Sequence, residues 1–184
     1  MPKLPTLLIA GLLPLFWGCS SAPLHYHTLV PSQPGQQGSA NIRIERVSLP
    51  PQVDRSQIVV RQGSSGLVIL ETEWWGANLT DEFQSALQDQ LGAPAGGAAP
   101  TLLRVDVQRF DSVPGSYALL DATWRLKRPG EQKGLICRTT VQTPADNRVE
   151  SLVSAHQANL RKLAGAISLA GSGPLAGRCP ASGR

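Results

Sequence analysis

The chain has 184 residues and a formal charge of +4, enough for one domain with its own core and too little for several. Its 17 basic residues are spread along the chain, and only Arg125, Lys127 and Arg128 cluster, a pattern that excludes a nucleic-acid footprint and reads as a solvated strand face.

The chain opens with Lys3 and a short apolar run from Leu4 to Phe16, then the small residue Gly18 before Cys19. Charge, apolar stretch and small residue in that order predict a secretory signal over residues 1–18. Prolines interrupt the run, which is also shorter than the about 20 apolar residues of a membrane span. A cysteine after the small residue, followed by the polar tether Ser20-Ser21-Ala22-Pro23, resembles a lipoprotein signal, in which the thiol takes a diacylglycerol with palmitate-type chains. Phe16 and Trp17 are bulkier than that pattern favours. Stable anchoring takes about two acyl chains, which a diacylated Cys19 supplies without inserted protein. Ser20 resembles outer-membrane sorting rather than inner-membrane retention. The expected place is therefore the periplasmic face of the outer membrane.

Residues 24–170 carry the structural signals. Leu24 to Val30 alternates as a first strand, and residues 32–38 form a turn-rich break. Ile42, Ile44 and Val47 mark the buried face of a second strand that stops at Leu49-Pro50-Pro51. Ile58–Arg61 and Leu67–Leu70 flank Gly63-Ser64-Ser65-Gly66, which predicts a hairpin. From Ala77 to Leu91 the period changes: Leu79, Phe83, Leu87 and Leu91 lie on one helical stripe. Asp81 and Glu82 suit the first turns of that helix, and Gly92 and Pro94 end it.

After a flexible connection through residue 100, three strands follow. Leu103, Val105 and Val107 alternate in the first, Ala122, Trp124 and Leu126 in the second, and Leu135 to Gln142 make the third, with turns at Val113–Ser116 and Pro129–Glu131. Val149, Val153, His156, Leu160, Leu163 and Ile167 mark a long second helix, for which Thr143-Pro144 is the expected cap. The predicted fold is α+β, a single largely antiparallel sheet with two helices on one face. Residues 171–184 form a loose tail. Cys137 and Cys179 are the two cysteines left after lipidation of Cys19. In an oxidising compartment they are a disulfide candidate, with two free thiols as the alternative.

No catalytic constellation is legible. His25 and His27 share a strand face but have no third metal ligand at a recognisable spacing, so an ordinary strand is expected. Asp81 and Glu82 diverge around a helix and make a poor acid–base pair. There is no Gly-x-Ser-x-Gly, P-loop or Cys-x-x-Cys. No cofactor, metal or enzymatic activity is expected.

Several segments, in order, resemble the PqiC family of auxiliary lipoproteins of ABC-type and paraquat-inducible intermembrane transport systems. The most specific is Leu49-Pro50-Pro51-Gln52-Val53-Asp54-Arg55-Ser56-Gln57-Ile58-Val59-Val60-Arg61, preceded by Tyr26-His27-Thr28-Leu29. Glu73-Trp74-Trp75-Gly76 resembles the family's tryptophan at the start of the first helix. Arg109-Phe110-Asp111 with Pro114-Gly115 and Ala122-Thr123-Trp124 resembles its central hairpin, and Leu152–His156 with Leu160–Ile167 its last helix.

The resemblance implies a non-enzymatic partner of an MCE-domain tunnel protein that carries lipid between membranes, docking the tunnel to the outer membrane, with a homo-oligomeric ring as one arrangement. The competing expectation is an envelope-assembly lipoprotein that regulates a cell-wall or outer-membrane machine without moving lipid. Asp54 and Arg55 are candidate partner-facing residues, or else a local pair that fixes their loop. Of Trp74 and Trp75, consecutive in sequence, only one can face the core, and the other is a candidate for a partner or lipid headgroup.

Overall fold

The computed structural model describes residues 22–32, 41–94, 97–172 and 176–181. The signal segment 1–18 and Cys19 lie outside the described residues.

Seven strands and two helices occur in the order β1 (His25–His27), β2 (Ile42–Ser48), β3 (Gln57–Gln62), β4 (Gly66–Trp75), α1 (Leu79–Leu91), β5 (Thr101–Val113), β6 (Tyr117–Lys127), β7 (Leu135–Pro144) and α2 (Val149–Gly171). The class is α+β, but the strands form two sheets rather than one. A four-stranded sheet has the order β2-β5-β6-β7, and a three-stranded sheet the order β1-β4-β3. The β5-β6-β7 meander and the β3-β4 hairpin are antiparallel, whereas β2 joins β5 and β1 joins β4 in parallel. Parallel neighbours need a long crossover, here through whole intervening elements. No local pattern announces such a pairing.

Both helices cover one face of the four-stranded sheet, α1 over β2 and α2 over β5, β6 and β7. The helical stripe read from sequence is the buried one: Leu79, Phe83, Leu87 and Leu91 of α1 are all within the core, with Leu160, Leu163 and Ile167 of α2. Opposite them lie Leu103, Val105, Ala122 and Trp124 on the inner sheet face. Trp124 is fully buried, and its indole Nε1 donates to Thr139 Oγ1 at 2.9 Å, so its one polar atom is satisfied.

Two local expectations are corrected. Trp74 and Trp75 end strand β4 and do not begin the first helix, which starts at Leu79 behind Asn78. Thr143-Pro144 does not cap α2, because Pro144 is the last residue of β7 and pairs with Tyr117. Strand β7 is a sheet edge, where a missing N–H leaves no ladder bond unmade. Helix α2 begins instead behind Arg148, whose backbone N–H donates to Asp146 Oδ1 at 2.8 Å.

The tail is fastened at the far end of α2. Gly177 N–H donates to Ala170 O at 3.0 Å, and Cys179 is joined to Cys137 by a disulfide with Cα atoms 5.5 Å apart.

Candidate interaction site

The residues singled out from sequence gather where the N-terminal strand meets the start of α1. Strand β1 is only three residues long, too short to hold itself in a sheet, and side chains from several elements fix it. Gly76 N–H donates to His27 O at 2.8 Å. The buried Glu82 carboxylate accepts from Thr28 Oγ1 at 2.7 Å and from Leu29 N–H at 2.9 Å. From α2, Gln157 Nε2 donates to Thr28 O at 3.0 Å. The segment that follows the predicted lipid tether is thus tied to β4, α1 and α2 together.

His25 and His27 do share a face, and Glu73 of β4 lies between them. His25 Nδ1 is 2.8 Å from Glu73 Oε1, and His27 Nε2 is 2.6 Å from Glu73 Oε2. Burial pushes the Glu73 carboxyl up, but hydrogen bonds from both imidazoles outweigh it and hold the group below its ordinary value. Each nitrogen takes its own carboxylate oxygen, so the three groups do not converge on one point. Among the described residues no group of three ligating side chains is arranged to hold a metal ion. Sequence reading missed Glu73 because it is 48 residues from His25.

The two tryptophans separate as the strand pleat requires. Trp75 is buried, with its ring edge-on to Phe110 at 6.4 Å, and is thereby removed from the candidate partner residues. Trp74 is half-buried on the other face, its Nε1 bonded to Glu71 O at 2.9 Å and its ring 6.5 Å from the exposed Tyr26. The two rings form an aromatic patch beside the N-terminal strand, and Leu24, two residues before Tyr26, is exposed as well.

Asp54 and Arg55 do not pair with each other. The loop turns tightly, with Val53 and Asp54 N–H both donating to Pro50 O at 3.0 and 3.1 Å. Asp54 Oδ1 accepts from Thr80 N–H at 3.2 Å and Thr80 Oγ1 at 2.8 Å. It therefore satisfies one of the unpaired N–H groups at the start of α1, which Asn78 leaves open because its own side chain accepts from Ser56 Oγ instead. Asp54→Ala is expected to lower stability by about 1 kcal/mol, read by urea titration. An unchanged midpoint would show that the cap carries no weight. Arg55 is half-buried, and its Nε has no hydrogen-bond partner.

The remaining histidine is structural in its surroundings. His156 is fully buried on α2, stacked on Phe110 at 3.8 Å with ring planes 7° apart, and Nε2 lies 2.9 Å from Ser112 Oγ. Burial pushes its pKa down to about 3, so the ring is neutral at physiological pH.

On the face of the four-stranded sheet that carries no helix, buried carboxylates are clamped by arginines. Asp121 accepts from Arg138 Nε and NH2 at 2.8 and 2.6 Å and from Thr140 at 3.0 Å, and the Arg138 bond chiefly holds it below its ordinary pKa. Asp111 accepts from Arg109 Nε at 2.9 Å, while Arg61 Nε of β3 stands 2.7 Å from its other oxygen as an ion pair without hydrogen-bond alignment. That ion pair ties the smaller sheet to the end of β5.

The fold is shared with two solved structures. One, of an uncharacterized protein, superposes with a TM-score of 0.65 at 16% identity, covering 80% of this chain and 97% of its own. The other, from Xanthomonas campestris and assigned to the DUF330 family, gives a TM-score of 0.59 at 16% identity, with 81% and 93% covered. No curated protein matches the chain. The decisive likeness is to a family model that spans residues 27–168, from the N-terminal strand nearly to the end of α2, and by it the chain belongs to the ABC-type transport auxiliary lipoprotein components.

Proposed function

We propose that the protein is a non-enzymatic, lipid-anchored subunit of an MCE-type intermembrane lipid transport system, held on the periplasmic face of the outer membrane and docking a periplasmic tunnel to it. Membership of the auxiliary lipoprotein family carries this reading. In it, residues 1–18 are the export signal, 19–23 the tether lipidated at Cys19, 24–170 the docking domain and 171–184 the tail. Two structural features support it. Among the described residues no helix is long and apolar enough to cross a membrane, which is compatible with an anchor at Cys19. The strand next to the tether is fixed to three other elements, so load on the anchor reaches the whole domain.

The partner-facing residues in this reading are Trp74 with Tyr26, and the half-buried Arg55. Asp54 serves that surface by holding the loop on α1. Rings of identical subunits would bring several such surfaces to one tunnel.

The test is capture of the tagged chain from its native envelope in mild detergent, with mass spectrometry of what accompanies it. Recovery of an MCE-domain protein, weakened by Trp74→Ala, is the expected result. Its absence under conditions that preserve a known tunnel complex would favour an envelope-assembly role instead. Cys19→Ala is expected to abolish lipidation, and a membrane-bound fraction still carrying acyl chains on the variant would overturn the anchor assignment.

A further inference from the structure

The basic residues that look scattered in sequence converge in space. On the helix-free face of the four-stranded sheet, Arg104, Arg125, Lys127 and Lys133 surround a cavity of about 400 Å3, with Leu102 and Ile136 on its rim. Arg104 of β5 and Arg125 of β6 stand directly opposite each other. Like charges placed opposite each other in a sheet destabilise it. The compensation is partial: Glu45 accepts from Arg104 at 2.7 and 2.9 Å, while Arg125, Lys127 and Lys133 have no ion-pair partner among the described residues. Asp106, on the same strand face, also acts on Arg104, but the cations still outnumber the carboxylates, and such a cluster is stabilised by an anion.

We infer that this groove binds the phosphate headgroup of an anionic phospholipid. A phosphate between Arg104 and Arg125 would take a forked pair of charge-assisted hydrogen bonds from Arg125, a geometry arginine favours, and a further one from the Arg104 nitrogen that Glu45 leaves unbonded. The lysines, on longer flexible stems, close the sides as point charges. The exposed Ile136 of β7 and Leu102 of β5 give the lining apolar surface suited to the glycerol and upper acyl carbons, which a free inorganic anion would not use. The volume lies within the range of small-ligand sites, about 300–1,000 Å3.

The groove is distinct from the surface next to the tether. It sits at the start of β5, whereas the N-terminal strand joins the core where Trp75 meets Phe110, near the end of β5. At about 3.3 Å per residue, Arg104 to Phe110 spans roughly 20 Å. The site therefore adds a ligand to the docking role proposed above and stands without it.

The experiment is native mass spectrometry of the full chain, purified from its envelope in neutral detergent and offered phosphatidylglycerol and phosphatidylcholine of equal chain length. Phosphatidylglycerol adducts are expected to dominate, to weaken with salt, and to fall about tenfold or more in Arg125→Glu/Lys127→Glu. Melting temperature checks that this variant is folded. Lys133→Glu, in the connection between β6 and β7, gives the same reading without touching a strand. Equal adducts of the two lipids would overturn the inference, as would adducts unchanged in both variants. Displacement by inorganic phosphate at matched concentration would assign the groove to a free anion, and stronger binding of a polyglutamate peptide would assign it to an acidic protein. Either result rejects the lipid.

Discussion

Reduction of the Cys137–Cys179 bond is expected to lower stability by about 4 kcal/mol. The bond closes a loop with a sequence separation of 42, and the chain entropy that the unfolded state gains when a loop of that size is opened is of this order. Reduction is a cleaner probe than substitution, because Cys137 is buried and a smaller or polar replacement adds its own penalty. Urea titrations with and without dithiothreitol measure the effect. Hydrogen exchange should also show residues 176–181 released from the end of α2, where Gly177 and Cys179 hold them. A midpoint indifferent to reductant would mean that the bond is unformed in solution or that the tail is held without it. The expected dependence fits an oxidising compartment, in which such bonds persist.

Acidification is expected to destabilise the protein through His156 before its carboxylates respond. The buried ring has its pKa lowered to about 3, whereas an unfolded chain titrates near the ordinary 6.5. Between those values the unfolded state binds the extra proton, so stability rises with pH through the window and is lost as pH falls. The slope is about 1.4 kcal/mol per pH unit, giving about 2.5 kcal/mol between about pH 7.5 and about pH 4.5. The carboxyls of Glu73 and Asp121 are displaced in the same direction, below their own ordinary values of 4.5 and 3.8. Their contributions are present above those values and lost only as pH falls further. His156→Gln should flatten the slope within the window. A variant that keeps the parental slope would show that another group titrates there.

The division between local and long-range information runs through every element. The stripe Leu79, Phe83, Leu87, Leu91 specifies α1, and it is the face that is buried, since residues spaced by a helical turn are already neighbours before any tertiary contact forms. The β5-β6-β7 meander was legible for the same reason: each strand alternates, and short turns hand it to the next. Gly115, at φ +71°, sits in the first of those turns, where the left-handed backbone suits a residue without Cβ. The family resemblance also rested on short runs of consecutive residues.

What the sequence could not determine depends on partners far along the chain. Alternation says that β1 and β2 are strands, but not that each joins a distant strand in parallel or that the strands divide into two sheets. Consecutive tryptophans must face opposite ways, but only the packing of β4 against Phe110 decides that Trp75 is inside and Trp74 out. Thr143-Pro144 offers the local chemistry of a helix start, yet its place on an edge strand overrides that preference. Glu73 between two histidines, Asp54 on Thr80, and Arg104 beside Arg125 are joined by sheet register and helix docking alone. Local periodicity determined which elements form and which faces are apolar. Tertiary structure decided which polar residues meet, because charges and hydrogen-bonding groups carry no period that reveals their partner.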